Sequence, residues 1–371
     1  MTDLNGQRIV SQLDSDGTLT VSIEDFTLAT PTGSEVVIRV EATPINPSDL
    51  GLLFGPADIA NADFSGGRIV ARMPDPAVRA MAARHCMAMP VGNEGAGTVI
   101  AAGEAPEAQA LLGKRVTCFP GGMYATIARA DAAMCLELAD GISAEQGASA
   151  FVNPLTALSF TETMHHLGHK ALVHTAAASN LGQMLVKICK ADGIPLVNVV
   201  RSEAQVELLK GIGAEHVVDS SKESFLDDLA AAISATKATM AFDAIGGGKL
   251  VSQILSVMEQ VANSGAAYSR YGSNSPKHAF IYGALDLSPT ILNRNFGFVW
   301  DVSGWLLTPW MAKLGPQVVE RMRRRVMAEL TTTFASHYKA RVTLEQALSR
   351  EAALEYNARR TGEKYLIVPN G

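Results

Sequence analysis

Apolar residues follow two different rhythms along this chain, and the change between them divides it. From residue 171 onward, short aliphatic runs alternate with stretches whose apolar residues recur every three or four positions. Ala171–Thr175 and Leu196–Val200 are two such runs, and Leu181, Leu185, Ile188 and Cys189 repeat at helical spacing between them, with Asn180 placed as N-cap. The alternation continues. It predicts a helix over Glu203–Gly211, a strand over His216–Ser220, a helix around Glu223–Ala235, a strand over Met240–Ile245, a helix to about Asn263 and a strand over Ala279–Leu285. Strands and helices of these lengths in strict alternation imply a parallel sheet with right-handed crossovers, an α/β doubly wound domain.

Before residue 150 the rhythm is β-like. Glu35–Glu41 alternates, Gly97–Ala101 and Arg115–Phe119 are short β-branched runs, and Gly or Pro stands between them, which predicts a small barrel-like domain. Helical character begins at Ser143, where Ser143 and Gln146 are spaced as a capping box. Lys364–Val368 reads as a strand that rejoins the first domain, making that domain discontinuous: residues 1–152 completed by about 311–371, around a second domain of 153–310. Within the first domain Ala77–Met89 is a Met- and Arg-rich piece able to form a short helix, either covering a pocket or decorating the surface. Ser264–Lys277 reads as a loop, and Trp300, Trp305 and Trp310, five residues apart, are shared among core, pocket wall and subunit contact.

The turn between the first two strands of the second domain carries candidate chemistry. Ala176, Ala177, Ala178 and Ser179 are small enough for a pyrophosphate to approach the backbone, and the N–H groups and positive dipole end of the following helix complement its charge. A Gly-rich turn of this type carries glycine where Ser179 stands; Gly182 is retained. Ala177, Ala178, Ser179, Asn180, Leu181 and Gly182 are therefore expected to hold a dinucleotide. NAD-specific sites place an acid at the end of the second strand, whereas this chain has Arg201, whose guanidinium suits a 2′-phosphate, with Ser202 and Gln205 as neutral donors nearby. NADPH is the expected cofactor.

Composition changes this picture only by exclusion. The chain's 371 residues suit two domains, and 47% hydrophobic with 18% charged residues is ordinary for a globular protein with a sizeable core. A net charge of −6 offers no general attraction for a phosphate backbone, and the basic run Arg321–Arg325 reads as a solvated helix face, so nucleic acid is not an expected partner. There is no apolar leader segment, and the most apolar stretch, Phe296–Leu314, is interrupted by Asp301 and Pro309, so no membrane partner and a cytoplasmic location are expected. Cys86, Cys118, Cys135 and Cys189 lack C-x-x-C spacing and read as buried thiols.

The ordered motifs Asn46-Pro47-Ser48-Asp49, Gly92–Gly97 (GNEGAG), Val152–Ala157 (VNPLTA), Asn198–Arg201 (NVVR), Leu208–Val217 (LLKGIGAEHV) and Thr361-Gly362 resemble those of the medium-chain dehydrogenase/reductases, specifically their zinc-free branch of NADPH:quinone and enoyl-thioester reductases. The likeness spans nearly the whole chain and implies a Rossmann domain with a GroES-like β-barrel-type domain. In the zinc alcohol dehydrogenases of this superfamily a cysteine falls where Asn46 stands, a histidine where Asn93 stands and a second cysteine near Val152; amides and an alkyl group cannot replace them, so no metal is expected. The cluster His165, His166 and His169 ends a helix, where cations are favoured by the dipole.

The resemblance implies reduction of a quinone or an α,β-unsaturated carbonyl (an enone) by hydride from NADPH, by a homodimer. Asn46 and Thr156 would line the nicotinamide pocket, with an Asx-turn and a helix-internal hydroxyl as the respective alternatives. Tyr124 matches a family tyrosine position, Tyr282 and Gly283 follow a strand whose C-terminal end should face cofactor, and either phenol is a candidate proton donor. The enoyl-thioester reductases carry a tyrosine shortly after the Asn-Pro-x-Asp motif; here Leu52–Asp58 has none. Thioester reduction and a non-catalytic dinucleotide-binding redox sensor remain the alternatives.

Overall fold

Each of the two polarity rhythms builds its own compact unit in the computed structural model, which describes residues 3–362 and 364–371. The first unit comprises residues 1–152 with 329–371, the second 153–328. The expected fold class is found: one sheet is wholly parallel, while the other unit is built on antiparallel strands.

In the first unit, Glu35–Pro44 is the organising strand. It pairs antiparallel with Gly95–Ala102, with Ile127–Asp131 and, through Leu366 opposite Pro44, with the C-terminal strand Tyr365–Ile367. That last pairing draws residue 364 alongside the Asn46 turn, where the Ile45 N–H donates to the Tyr365 carbonyl. A separate four-stranded sheet contains Leu4–Leu13 and Thr18–Leu28, long strands that the sequence reading did not single out. Both carry mixed polarity because one face is exposed. The expected capping box is formed by Ser143 and Gln146. In the Met- and Arg-rich piece, helix Asp75–Ala80 gives way to a single 3₁₀ turn, Ala82–Arg84, and the Arg84 guanidinium reaches the Ser11 hydroxyl at 3.0 Å.

The second unit holds a six-stranded parallel sheet. Numbered by sequence within that sheet the strands lie in the order 3-2-1-4-5-6: His216–Asp219, Leu196–Val200, Leu172–Thr175, Met240–Asp243, Lys277–Ile281 and Trp300–Gly304. This is the doubly wound dinucleotide-fold order, and the direction of the connections reverses between Leu172–Thr175 and Met240–Asp243. Three strands, Leu172–Thr175, Leu196–Val200 and Met240–Asp243, are buried along their full length, which explains their near-continuous apolar runs. The sixth strand, Trp300–Gly304, is an edge and mostly exposed, so its mixed sequence gave no strand signal.

Helix Pro316–Ala328 belongs to this second unit. Arg321 bonds Glu162 at 2.8 Å and Arg325 bonds Asp192 at 2.6 Å, so part of the basic run serves to hold the helix in place. Trp305 is core, donating its indole N–H to the Thr163 hydroxyl and packing edge-on to Phe160 and Phe242. Among the described residues no helix is long and apolar enough to cross a membrane. Three of the four thiols are buried as expected, but Cys86 is exposed because it follows the 3₁₀ turn in a left-handed conformation, φ 60°.

Candidate functional site

The turn expected between the first two strands of the second unit is formed, with one correction at its cap. Helix Asn180–Asp192 begins at Asn180, and its N-cap is Ser179 rather than Asn180. Ser179 has extended backbone, and its hydroxyl accepts the Gly182 N–H at 3.2 Å, whereas Asn180 already has helical geometry. The serine that replaces a fingerprint glycine thus performs a capping role. Ala176 takes a left-handed φ of 49°, a conformation that costs an L-residue energy and closes the turn with the Ser179 N–H on the Ala176 carbonyl. At Gly182 any Cβ would lie 2.1 Å from the Ala177 carbonyl oxygen, so glycine is what allows the helix to sit directly on the turn. Ala177 and Ala178 are buried, and Leu181 packs inward. The helix N-terminus and its first-turn amides therefore border a cradle of backbone and small side chains, which fits a pyrophosphate.

Arg201 is exposed immediately after strand Leu196–Val200, and among the described residues its guanidinium has no ion-pair partner. Its backbone N–H donates to the Gln205 side-chain oxygen at 3.1 Å, so that amide is anchored to the arginine's own backbone. Ser202 is the N-cap of helix Glu203–Gly211 but makes no side-chain cap bond.

Where the strand order reverses, a buried polar stitch joins the strands. The Thr175 hydroxyl donates to Asp243 Oδ1 at 2.6 Å and accepts the Ala244 N–H, while Asp243 Oδ2 accepts the Gly246 N–H at 2.7 Å. Sequence reading missed Asp243; an acid closing an apolar strand just before a glycine triplet was the available signal. On the fifth strand, Tyr282 bonds His174 through its phenol, and Gly283 lies against Ala244, where a Cβ would meet the carbonyl oxygen at 2.6 Å. Thr156 is buried within helix Val152–His166. The His169 ring bonds Thr239 and His278.

The first unit holds a second polar cluster, most of it buried. Asn46 is 1% exposed, and its Nδ2 donates to Glu94 Oε1 at 2.8 Å. Because a carboxylate only accepts, this bond fixes the amide orientation and leaves the carbonyl Oδ1 buried without a partner among the described residues. An Asx-turn is not what Asn46 forms. Instead the Asp49 carboxylate accepts the Asn46 N–H, the Asn93 N–H and the Tyr124 hydroxyl, at 2.8, 2.9 and 2.9 Å. Glu94 Oε2 accepts the N–H groups of Phe151 and Val152. Gly92 makes room for this arrangement, since with φ 97° its Cβ would strike the Tyr124 ring at 2.4 Å.

Burial pushes the Asp49 carboxyl up to about 7 despite its three donors, and raises Glu94 as well. It also brings the Lys364 ammonium down to about 8, against the pull of Glu94 and Asp49. Lys364 donates to the Ser149 hydroxyl at 2.7 Å. Tyr124, at 1% exposure and committed to Asp49, has its phenol pKa raised by the same burial and sits in the core as a structural group.

The zinc position of the superfamily fails a test of chemistry. Asn46 is an amide bound to Glu94, Asn93 is an amide whose Nδ2 faces the Ser48 hydroxyl at 3.2 Å, and residue 152 is a valine. Zinc needs a converging set of thiolate, imidazole or carboxylate donors, and this set does not fit it. Among the described residues no three such groups come together anywhere.

The chain is similar to known dehydrogenases and reductases. The family model of the zinc-binding dehydrogenases matches residues 181–266. The chain is 28% identical over 272 residues to the mitochondrial enoyl-[acyl-carrier-protein] reductase of Caenorhabditis elegans, covering 69% of this chain and 68% of that protein. It is 27% identical over 205 residues to the bovine protein of the same name, the match spanning 53% of this chain and about half, 48%, of that one. A crystal structure assigned as an NADPH:quinone reductase from Mesorhizobium loti superposes over the full length of both chains with a TM-score of 0.75 at 26% identity.

Proposed function

We propose that the chain is a medium-chain dehydrogenase/reductase, an NADPH-dependent oxidoreductase that reduces a quinone or an α,β-unsaturated carbonyl without zinc. One observation carries the reading: a small-residue turn capped by Ser179 at a helix N-terminus, with the exposed Arg201, which has no ion-pair partner among the described residues, at the end of the adjoining strand. The turn and the helix dipole bind the pyrophosphate, and Arg201 takes the 2′-phosphate with charge-assisted hydrogen bonds. NADPH, once bound, supplies the hydride. The protein's share is to hold an electrophilic acceptor in position, to stabilise the oxyanion that develops and to admit a proton. Such acceptors are electrophiles in their own right, so no Lewis acid is required to activate them. We assign Asn46 a positioning role in which Oδ1, held open by Glu94, accepts an O–H or N–H from the bound reactants.

Enoyl-thioester reduction is the second reading, favoured by the names of the curated relatives. Against it, Leu52–Asp58 has no tyrosine to donate the proton. Steady-state NADPH consumption against a quinone, an enone and an enoyl thioester separates the two, and a protein that binds NADPH but turns over none of them is a sensor. With the preferred acceptor, Asn46→Ala is expected to lower turnover roughly tenfold or more with the melting transition retained, the usual loss when an oriented polar group leaves a hydride-transfer site. Unchanged kinetics would return Asn46 to a purely structural role beside Glu94.

A further inference from the structure

The reduction proposed above needs a proton, and Tyr124 of the first unit does not supply it: its hydroxyl is enclosed and donates to Asp49. Tyr282 is placed differently. It follows directly on strand Lys277–Ile281, at the C-terminal edge of the parallel sheet where ligands of such folds bind, and its N–H donates to the Asp243 carbonyl. It is half-buried, with the ring edge-on to Phe160 at 4.8 Å and stacked on His174 at 5.8 Å. Its hydroxyl lies 2.8 Å from His174 Nε2.

The direction of that hydrogen bond decides what the phenol can do, and His174 sets it. The histidine is 0% exposed, and its other nitrogen, Nδ1, is buried without a partner among the described residues. Were the proton on Nδ1, a buried N–H would be left unsatisfied, a costly and rare arrangement; with the proton on Nε2, only a lone pair is unmet. Protonation of both nitrogens is opposed by burial, which brings the imidazole down to about 3. The neutral ring therefore carries its proton on Nε2 and donates it to the Tyr282 oxygen. The phenol hydrogen is then not used by the histidine, and among the described residues the hydroxyl has no other partner. Burial, with the nearby charge of Asp243, raises the phenol's pKa, so the resting group is the protonated donor.

We infer that Tyr282 is the proton donor of the reduction and that His174 is the positioning residue that leaves its hydrogen free. The inference rests on the oxidoreductase reading. Hydride arrival adds two electrons to the acceptor and leaves an enolate or a quinol oxyanion. The Tyr282 O–H bond then breaks, its proton forms the new bond to the enolate carbon or the quinol oxygen, and the phenolate is held by the His174 N–H until water returns a proton to it. One hydride and one proton enter the product, and the nicotinamide leaves oxidised.

Nitrogen NMR of the protein without cofactor, with ¹⁵N-histidine and the His174 signal assigned by its loss in His174→Gln, reads the tautomer directly. A pyrrole-type Nε2 with a pyridine-type Nδ1 is expected; the reverse tautomer or an imidazolium overturns the inference. In kinetics Tyr282→Phe is expected to lower kcat about a hundredfold or more, as removal of a general acid does, with KM and the NADPH dissociation constant within about twofold of wild type. His174→Phe should lower kcat by about tenfold, and His174→Gln, whose amide N–H can replace Nε2–H, should recover most of the loss. An active wild type whose kcat survives Tyr282→Phe overturns the assignment alone, as does a Tyr282→Phe variant that loses cofactor binding in step with kcat. A wild type that consumes no NADPH with any acceptor overturns the functional reading and the assignment together, whatever the NMR shows.

Discussion

Replacing Lys277 by methionine should cost about 3–5 kcal/mol of stability at neutral pH, the usual price of removing one partner from a buried ion pair. The Lys277 side chain is 0% exposed, and its ammonium donates to Glu259 Oε2 at 2.6 Å, the Ser275 carbonyl at 2.8 Å and the Ser273 hydroxyl at 3.1 Å. All three of its hydrogens are used. Glu259 in turn accepts from the Asn263 amide and from the Ser273 N–H and hydroxyl. Burial alone would raise the Glu259 carboxyl, yet Lys277 and these donors together hold it down at about 2. A methionine of similar volume keeps the packing but leaves the carboxylate enclosed without a counter-charge. The sign with pH follows: a carboxyl depressed on folding stabilises the native state above its unfolded value near 4.5, and the contribution fades as pH falls from there toward 2. Denaturant titrations of wild type and Lys277→Met should therefore differ most near pH 7 and converge as pH drops through that window. Equal stability at pH 7 would contradict this account, whereas recovery in the double variant Glu259→Leu/Lys277→Met would support it.

Arg201→Ala should remove most of a preference for NADPH over NADH of about 1.5–3 kcal/mol, the range for a hydrogen bond to a charged group. Expressed as affinity, that is about ten- to a hundred-and-fifty-fold. The guanidinium is exposed and has no competing partner among the described residues, so its charge is available to the 2′-phosphate rather than spent on a salt bridge. NADH affinity should be unaffected, because the turn at Ala176–Ser179 and the cap on helix Asn180–Asp192 do not involve the Arg201 side chain. The alternative is an arginine that merely extends into solvent from a strand end. Fluorescence titration decides between them: equal wild-type affinity for the two cofactors, or a variant with wild-type discrimination, leaves Arg201 without a role in cofactor choice.

What was legible in the sequence was whatever depends on local periodicity. Leu196–Val200 and Glu203–Gly211 fall where the apolar pattern puts them, because a fully buried strand and an amphipathic helix each write their environment into consecutive residues. The capping box at Ser143 was legible for the same reason, since both its halves lie within four residues. Long-range polar pairing was not. Nothing near Lys277 in sequence marks it as buried, because its partner Glu259 is a helix away, and the stretch reads as an ordinary polar loop. Asn46 was found by resemblance, but which of its atoms stays open depends on Glu94, 48 residues on. His174 likewise reads as one more residue of an apolar strand until Tyr282, 108 residues later, is brought against it. The edge strand Trp300–Gly304 escaped because exposure on both faces erases the alternation that reveals a strand.

Isotope transfer tests the central claim most directly. NADPH carrying deuterium at both C4 positions is incubated with the protein and an enone, and the product is weighed by mass spectrometry. Hydride delivery predicts a saturated ketone with one non-exchangeable deuterium on the β-carbon, formed in step with loss of the reduced-nicotinamide absorbance. A product without deuterium, or bound NADPH that is never oxidised by an enone or a quinone, would contradict it.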